Sequence, residues 1–213
     1  AYGSDSVTIA KHLQELGADY FAVAYVNEGI TLREGGITAP ILVLHPQKVH
    51  FTSLIEHRLE PSIYSQSILN DFIATANAMN IVDYPVHLKF NTGLNRLGFS
   101  ADELPIIASL VEHQKAIKIV AVLSHLAATE DHDERAFTNL QLQRFKNICQ
   151  QVDQLFKDKP LKHVLNTSGI INYPEAQYNM VRSGIGLYGY GNEPEVDATL
   201  QPVMTLSLIH ISP

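Results

Sequence analysis

An arginine and a histidine stand just beyond two segments that have the pattern of buried strands. Residues 86–90 run into the glycine-containing segment 91–99, which holds Arg96, and residues 117–124 lead directly to His125. At the carboxyl ends of parallel strands, an arginine can clamp a carboxylate through two parallel hydrogen bonds. A histidine there can serve as a general base, a metal ligand or an aromatic platform. On spacing alone, a surface arginine that closes a turn and a purely structural histidine are the favoured alternatives.

Two later turns are rich in hydroxyl groups and glycines. His163 opens a strand-like segment that ends at residues 166–169, and residues 179–182 run into residues 183–189. Hydroxyls and free backbone amides at the start of a helix form a ready anion site, and barrels often bind phosphate at the loops after strands 7 and 8. A simple helix N-cap by Thr167 is the alternative. These turns favour a phosphorylated ligand, although their glycine spacing fits no dinucleotide fingerprint.

Strand-like and helix-like segments alternate along the chain. The seven strand candidates are residues 20–26, 41–44, 62–64, 86–90, 117–124, 163–166 and 179–182, and helical patterns fall at residues 6–16, 66–80, 101–113 and 135–156. Such alternation predicts a parallel sheet with helices outside, either doubly wound or closed into a barrel. A complete barrel of this kind has eight strands and typically about 250 residues. The α/β fold that we expect is therefore a (β/α)8 TIM-type barrel that lacks its first strand in this chain.

Composition and charge exclude several classes of partner. The 213 residues are 46% hydrophobic and 17% charged, which suits a soluble globular protein, and no apolar run is long enough for a membrane helix. Lysine and arginine total 15 against 22 acidic residues, without a basic cluster, so we expect no nucleic-acid partner. The single cysteine, Cys149, allows neither a disulfide framework nor a thiolate metal site, and we expect no metal. A reducing, cytoplasmic setting is the default expectation.

Several segments, in order along the chain, resemble those of one known family. Residues 91–99 (NTGLNRLGF), 124–127 (SHLA), 163–168 (HVLNTS) and 181–189 (VRSGIGLYG), together with features of residues 21–44, are similar to signature segments of alanine racemase. The resemblance implies interconversion of L-alanine and D-alanine with pyridoxal 5'-phosphate (PLP), which supplies D-alanine for cell-wall peptidoglycan. It also implies a cytoplasmic head-to-tail homodimer with alanine as its small-molecule substrate.

The resemblance also divides the chain into two parts. Residues 1–200 would form the PLP-binding barrel, incomplete at its N-terminus. Residues 201–213 would be the first strand that leads into a β-rich second domain. Met204, Leu206 and Leu208 alternate with other residues there, as in a strand.

The residues that would bind the cofactor follow from the resemblance. Its phosphate would be held by Tyr2, Thr167, Gly184 and Ile185, with Thr167 in place of the family's usual serine, and its ring would be lined by Leu44 and Asn166. Arg182 would face the pyridine nitrogen, where a guanidinium keeps its proton and so leaves that nitrogen unprotonated. His125, which also belongs to the expected cofactor-binding residues, and His163 would support Arg182 and a tyrosine that the family contributes from the partner subunit. To these three residues, Arg182, His125 and His163, we assign the catalytic roles.

Two basic residues would handle the substrate. Arg96 resembles the arginine that binds the substrate carboxylate, and Lys89 resembles a lysine that is carbamylated in many family members and orients that arginine. Asn91 and Leu94 depart from the family's usual aspartate and methionine. The exchange at Asn91 removes a carboxylate beside Lys89 and Arg96 and changes the local charge balance.

The chain matches the family's opening Lys-Ala-x-Ala-Tyr-Gly motif only from Ala1 onward. The Schiff-base lysine would lie three residues before Ala1, and the second catalytic residue of the family is a C-terminal tyrosine that reaches into the partner's site. We therefore expect the chain alone to be inactive. Residues 52–65 also resemble ligase–racemase fusions, in which a cell-wall ligase domain precedes the racemase. The alternatives are another PLP barrel enzyme, such as a broad amino-acid racemase or a D-amino-acid aldolase, and a non-catalytic PLP carrier.

Overall fold

The protein is built around a parallel sheet. A computed structural model describes residues 2–191 and 193–203. In that part of the chain six strands lie side by side in chain order: β1 (Phe21–Val23), β2 (Ile41–Val43), β3 (Glu60–Ile63), β4 (Tyr84–Lys89), β5 (Ile117–Leu123) and β6 (Leu161–His163). Every neighbouring pair is parallel. A parallel sheet whose spatial order equals its chain order curls in one direction, as in a (β/α)8 barrel, and this confirms the predicted α/β barrel architecture.

Helices connect and cover the strands. In the same described ranges they are α1 (Ser6–Glu15), α2 (Val26–Glu34), α3 (Phe51–Glu56), α4 (Gln66–Ala78), α5 (Leu104–Glu112), α6 (Arg135–Leu155), α7 (Thr167–Asn172) and α8 (Pro194–Asp197). The helices predicted from periodicity are confirmed as α1, α4, α5 and α6. Asp5 caps α1 by accepting from Thr8 N at 2.7 Å, and Ser65 caps α4. No helix in the described part of the chain has the length and apolar character needed to cross a membrane.

Residues 179–182, predicted as the seventh strand, form no strand in the structure. Two backbone hydrogen bonds link this segment to the chain at and after β6, from Asn179 N to Lys162 O (3.1 Å) and from Arg182 N to Leu165 O (3.0 Å). Two isolated bonds lack the evenly repeated ladder that defines a parallel strand pair. The segment nevertheless lies beside β6 and brings Arg182 to the carboxyl end of the sheet.

The first predicted strand is shorter than its apolar run. The sequence predicts a strand over residues 20–26, whereas β1 has three residues, because Val26 already begins α2. Of residues 201–213, where the sequence predicts a further strand, residues 201–203 form no strand and residues 204–213 lie outside the described residues.

The sheet presents an apolar face to the helices, and several polar or ionisable side chains are buried on its inner face. Successive residues of a strand point to opposite faces. In β4, Val86 and Leu88 belong to the main hydrophobic cluster together with helix residues such as Phe72. His87 and Lys89 take the alternate positions and are also buried. Ionisable side chains therefore line the inner face away from bulk water, where polar groups need partners.

The loop over residues 91–99 returns onto the end of β4. Phe99 N donates to Lys89 O, and Asn91 N donates to Phe99 O, both at 2.8 Å. Gly98 has a φ of +138°, and a Cβ there would lie 2.5 Å from Asn91 N. Only glycine allows this close approach of two backbone segments. The loop is thus anchored to the sheet at both of its ends.

Replacing Gly98 by alanine should destabilise the fold more than the same change at Gly36. Both glycines have positive φ, but a Cβ at Gly36 (φ +93°) meets nothing within 4 Å. Gly36→Ala should cost about 1 kcal/mol of unfolding free energy, from backbone strain alone. Gly98→Ala adds a clash with backbone atoms and should cost about 3 kcal/mol. Urea denaturation measures both losses, and equal values would contradict the role given to Gly98.

Candidate active site

Arg182 lies at the centre of the candidate site. Its Nη1 donates to His163 Nδ1 at 2.6 Å, and its Nη2 donates to Ser124 O at 2.9 Å and to Val164 O at 3.2 Å. Nη2 also lies 3.3 Å from His125 Nδ1. Burial lowers the pKa of Arg182 to about 10, which leaves the guanidinium charged at neutral pH. The site therefore holds a fixed cation whose hydrogen-bond partners are acceptors.

Both histidines that contact Arg182 are uncharged at neutral pH. Burial, followed by the charges of Arg182, Arg96 and Lys89, lowers the pKa of His125 to about 4. Burial, and next the charge of Arg182, holds the pKa of His163 well below its ordinary value. A protonated ring in either position would face a guanidinium at hydrogen-bond distance. The neutral rings can instead present a nitrogen lone pair to Arg182.

The turns after β6 form a cradle of hydroxyl and amide groups. Thr167 Oγ1 accepts from Gly184 N at 3.0 Å and from Gly186 N at 3.3 Å. Between them, the Ile185 amide has no hydrogen-bond acceptor among residues 2–191 and 193–203. A Cβ at Gly184 would lie 2.7 Å from the Tyr2 hydroxyl, and one at Gly186 would lie 2.8 Å from the Thr167 methyl. Two hydroxyls and a free amide thus come together, as an anion site requires.

Asn166 and Leu44, predicted to line a cofactor ring, both follow strands at the carboxyl edge of the sheet. Asn166 Oδ1 caps α7 by accepting from Gly169 N at 2.9 Å, and it also accepts from Thr129 Oγ1 at 2.8 Å. Leu44 directly follows β2 and is half-buried. The side-chain oxygen of Asn166 therefore fixes the start of α7, which begins with Thr167.

Lys89 is buried close to two arginines. Burial, and next the charges of Arg96 and Arg182, lowers the pKa of Lys89 to about 8. Roughly half of this amine is neutral at pH 8, compared with less than about 1% for an ordinary lysine. Arg96 is exposed and forms no hydrogen bond or ion pair with the other described residues. Its guanidinium is therefore available to an anionic ligand.

Asn91 organises the loop that carries Arg96. Its Oδ1 accepts from Gly93 N and from Asn95 N, both at 3.0 Å, and its Nδ2 donates to Asn95 Oδ1 at 2.9 Å. An ionised carboxylate could accept the two backbone bonds but could not donate the third. Asparagine in place of the expected aspartate therefore preserves the turn and leaves one negative charge fewer near Lys89.

Helix α6 supports the loops after β4 and β5. Arg144 Nη1 in this helix donates to Thr92 O at 3.0 Å. One turn earlier, Gln141 Oε1 accepts from Ala127 N at 3.0 Å. A single helix of 21 residues thus holds the loop of Arg96 and the segment that follows His125.

Two residues that the sequence analysis missed are linked to the site. His87 Nδ1 lies 3.3 Å from His163 Nε2, and His87 Nε2 lies 2.9 Å from Glu60 Oε2. The sequence carries a signal for His87, because it alternates with apolar residues in β4 and stands two positions before Lys89. Residues two apart share a face of a strand, so both had to point inward together.

The predicted site residues fall into two neighbouring groups. The cationic group consists of Arg182 with His125, His163, Lys89 and Arg96, which interact through hydrogen bonds or charge. The anion cradle consists of Tyr2, Thr167, Gly184 and Ile185, completed by Gly186. Together they suit a ligand that bears a phosphate and a basic nitrogen.

Comparison with known proteins gives one family. The sequence model described as alanine racemase, N-terminal domain, matches residues 1–192. The chain is 34% identical over 211 residues to the alanine racemase of Treponema denticola, which covers 97% of this chain and 55% of the relative. It is 36% identical over 220 residues to the alanine racemase of Clostridium tetani, covering 99% and 56%. The chain thus spans about half the length of the curated relatives it matches.

Solved structures give the same result. The alanine racemase of Clostridium difficile 630 in its complex with cycloserine is similar with a TM-score of 0.87 at 30% identity. The similarity covers 94% of this chain and 56% of that one.

The depressed pKa of His125 makes folding stability depend on pH. An unfolded histidine takes up a proton near pH 6.5, whereas folded His125 does so only near pH 4, so unfolding gains a proton between these values. Stability contributed by neutral His125 is therefore present above pH 6.5 and is lost as pH falls. Between pH 7.5 and 5, the parent should lose about 1–2 kcal/mol more unfolding free energy than His125→Gln.

Urea denaturation at the two pH values measures this difference. His12→Gln, which alters an exposed histidine of α1, is the matched control and should behave like the parent. The same pH dependence in parent and His125→Gln would show that His125 is not held neutral.

Proposed function

Because this chain belongs to the alanine racemase family, we propose that it is the PLP-binding part of an enzyme that interconverts L-alanine and D-alanine. The observation that carries this proposal is the buried, charged Arg182, which is held by acceptors and flanked by two neutral histidines. A fixed cation beside an anion cradle complements a molecule that has both a phosphate and a pyridine nitrogen. In the cell, the product D-alanine would supply peptidoglycan synthesis.

The residues of the cradle fit the phosphate of PLP. The Ile185 amide is free to donate, and the hydroxyls of Thr167 and Tyr2 flank it through their contacts with Gly184. A side chain at Gly184 would fill the space beside the Tyr2 hydroxyl, so glycine keeps the cradle open. Leu44 and Asn166 would flank the ring.

Arg182 would determine how strongly the site activates the substrate. Bound PLP withdraws electrons from the substrate Cα and so makes its proton acidic. Arg182 would donate a hydrogen bond to the ring nitrogen and keep its own proton, because a guanidinium is a poor acid. The ring nitrogen would then stay unprotonated. This arrangement limits electron withdrawal and favours rapid return of a proton to Cα, which is racemisation, over transamination.

Arg96 would bind the carboxylate end of alanine, and Lys89 would support it. Arg96 is exposed and unpaired among the described residues, and its planar group can make two parallel hydrogen bonds to a carboxylate. Lys89, buried and close to Arg96, would carry a carbamate that orients this arginine. The carbamate would also supply the negative charge that Asn91 does not.

Racemisation needs a proton donor and a proton acceptor on opposite faces of Cα. We assign these two roles to a lysine three positions before Ala1 and to a tyrosine of the partner subunit in a head-to-tail homodimer. The present chain would position cofactor and substrate between them. The full-length protein should therefore racemise alanine.

The function is tested by adding L-alanine to the full-length protein loaded with PLP and measuring the loss of optical rotation that racemisation causes. Arg96→Ala should raise KM for alanine by at least about tenfold, since each hydrogen bond to a charged group is worth about 1.5–3 kcal/mol. Arg96→Lys should recover only part of this loss, because an ammonium cannot make the planar two-point contact. Arg58→Lys, an exposed arginine at the opposite end of the barrel, is the control and should leave KM unchanged.

Protein that binds PLP without racemising alanine would favour a non-catalytic carrier. Faster turnover of a larger amino acid would favour a broad racemase.

Lys89 should react with carbon dioxide. Its neutral amine would attack the carbon of CO2 and release a proton, which replaces a cation between two arginines by an anion. Protein equilibrated with 13C-bicarbonate at pH 8 should show one protected carbamate signal in its 13C NMR spectrum. Lys89→Met should lose the signal, and Lys118→Met, at an exposed lysine paired with Asp158, should keep it. A parent spectrum without this signal would contradict the assignment.

A further inference from the structure

A chain of hydrogen bonds runs along the inner face of the sheet, away from the mouth of the site. Arg182 Nη1 lies 2.6 Å from His163 Nδ1, and His163 Nε2 lies 3.3 Å from His87 Nδ1. His87 Nε2 then lies 2.9 Å from Glu60 Oε2, which also accepts from the Tyr20 hydroxyl at 2.7 Å. Both imidazoles are fully buried. The chain connects one of the proposed catalytic residues to a carboxylate at the first position of β3.

The two ends of this chain fix the direction of every hydrogen bond in it. A guanidinium only donates, so His163 Nδ1 must accept and its proton must sit on Nε2. That proton is donated to His87 Nδ1, which places the His87 proton on Nε2 as well. An ionised carboxylate only accepts, so Glu60 receives the last bond. One arrangement of protons therefore satisfies all the groups, with both rings in the Nε2–H form.

The chain of hydrogen bonds also links the buried charge of Arg182 to a carboxylate. Among the described residues, the hydrogen bonds of Arg182 go to imidazole nitrogens and backbone carbonyls, and no carboxylate pairs with it directly. A buried cation without a counter-charge is costly. Glu60 is the carboxylate to which the hydrogen-bond chain leads. Imidazoles in sequence polarise one another, so the effect of the carboxylate reaches the far end of the chain.

We propose that Glu60 is a positioning residue for Arg182, which acts through His87 and His163 to hold the guanidinium in place and to balance its charge. This inference rests on the proposed function, because Arg182 is the group that would meet the cofactor nitrogen. Tyr20 assists by fixing the Glu60 carboxylate.

The location of Glu60 separates it from the substrate. It helps to line a cavity of about 670 Å³ at the amino ends of the strands, together with Arg33, His57 and Tyr84. Its side chain is 12% exposed. Glu60 thus lies at the end of the strands opposite to the end that bears Arg96. The effects of substitutions at Glu60 must therefore travel through the two histidines.

Two variants separate hydrogen bonding from charge. Glu60→Gln keeps an acceptor for His87 and removes the charge, whereas Glu60→Leu removes both. Glu56→Gln is the matched control, because Glu56 lines the same cavity and does not contact either histidine. All are made in the full-length protein.

The first measurement is the ring 15N chemical shifts of labelled histidine, which report the tautomer, in protein without PLP. His87 and His163 should both be in the Nε2–H form in the parent, in Glu56→Gln and in Glu60→Gln. In Glu60→Leu both rings should keep the Nε2–H form, because the Arg182 end alone fixes it, but the Nε2 shift of His87 should change, because its proton has lost the Glu60 acceptor. An Nδ1–H form of either ring in the parent, or an unchanged His87 Nε2 shift in Glu60→Leu, would overturn the proposed orientation.

The second measurement is the separation of kcat from KM for alanine in protein loaded with PLP. Glu60→Gln should lower kcat by about tenfold, the size expected when a hydrogen bond to a charged group is replaced by a neutral one, and leave KM within about twofold. A kcat equal to that of Glu56→Gln would overturn the role in charge balance. If Glu60→Leu fails to fold, Glu60→Gln still decides this question. If the parent does not racemise alanine, the proposed function fails, and the 15N shifts still test the hydrogen-bond chain.

Discussion

The hydrogen bond between Arg182 and His163 is the interaction on which the rest of the candidate site depends. A buried cation must regain from protein acceptors what it loses in hydration. Three acceptors receive hydrogen bonds from Arg182. They are the His163 ring and the carbonyl oxygens of Ser124 and Val164, which directly follow β5 and β6. The pairing of these two strands therefore sets where the guanidinium lies. Because His125 and His163 face the Arg182 guanidinium at hydrogen-bond distance, both rings stay neutral.

The anion cradle and the cationic group are built by different means. Backbone amides and the Thr167 hydroxyl form the cradle, and glycines at 184 and 186 allow its turns to approach Tyr2 and Thr167 closely. Such a site tolerates threonine where a serine is expected, because the hydroxyl and the amides remain. The cationic group depends on individual side chains, so each exchange in it, such as asparagine at position 91, changes the charge balance directly.

Much of the fold follows from the sequence, because apolar runs and helical periodicity are local signals. Long α6 and largely buried β5 illustrate this, and the resemblance of short segments identified the residues around Arg182. Residues 179–182 show the limit: their composition suits a strand, but a strand needs a partner with matching register, and only two bonds form. Glu60 and His87 show a second limit of sequence-based prediction. Their contact joins β3 and β4 through the barrel interior, and no local sequence pattern indicates such a contact.

The attachment of α6 to two loops makes that helix a common support for the loop that carries Arg96 and for the segment after His125. Arg144 and Gln141 lie on one rigid rod, so a small rotation of this rod against the sheet would move the loops after β4 and β5 together. The spacing between them is consequently set by residues such as Phe145 and Ile148, which pack α6 on the hydrophobic core. The dimensions of the candidate site can then change in evolution through the packing of a helix, without any substitution among the residues that form the site.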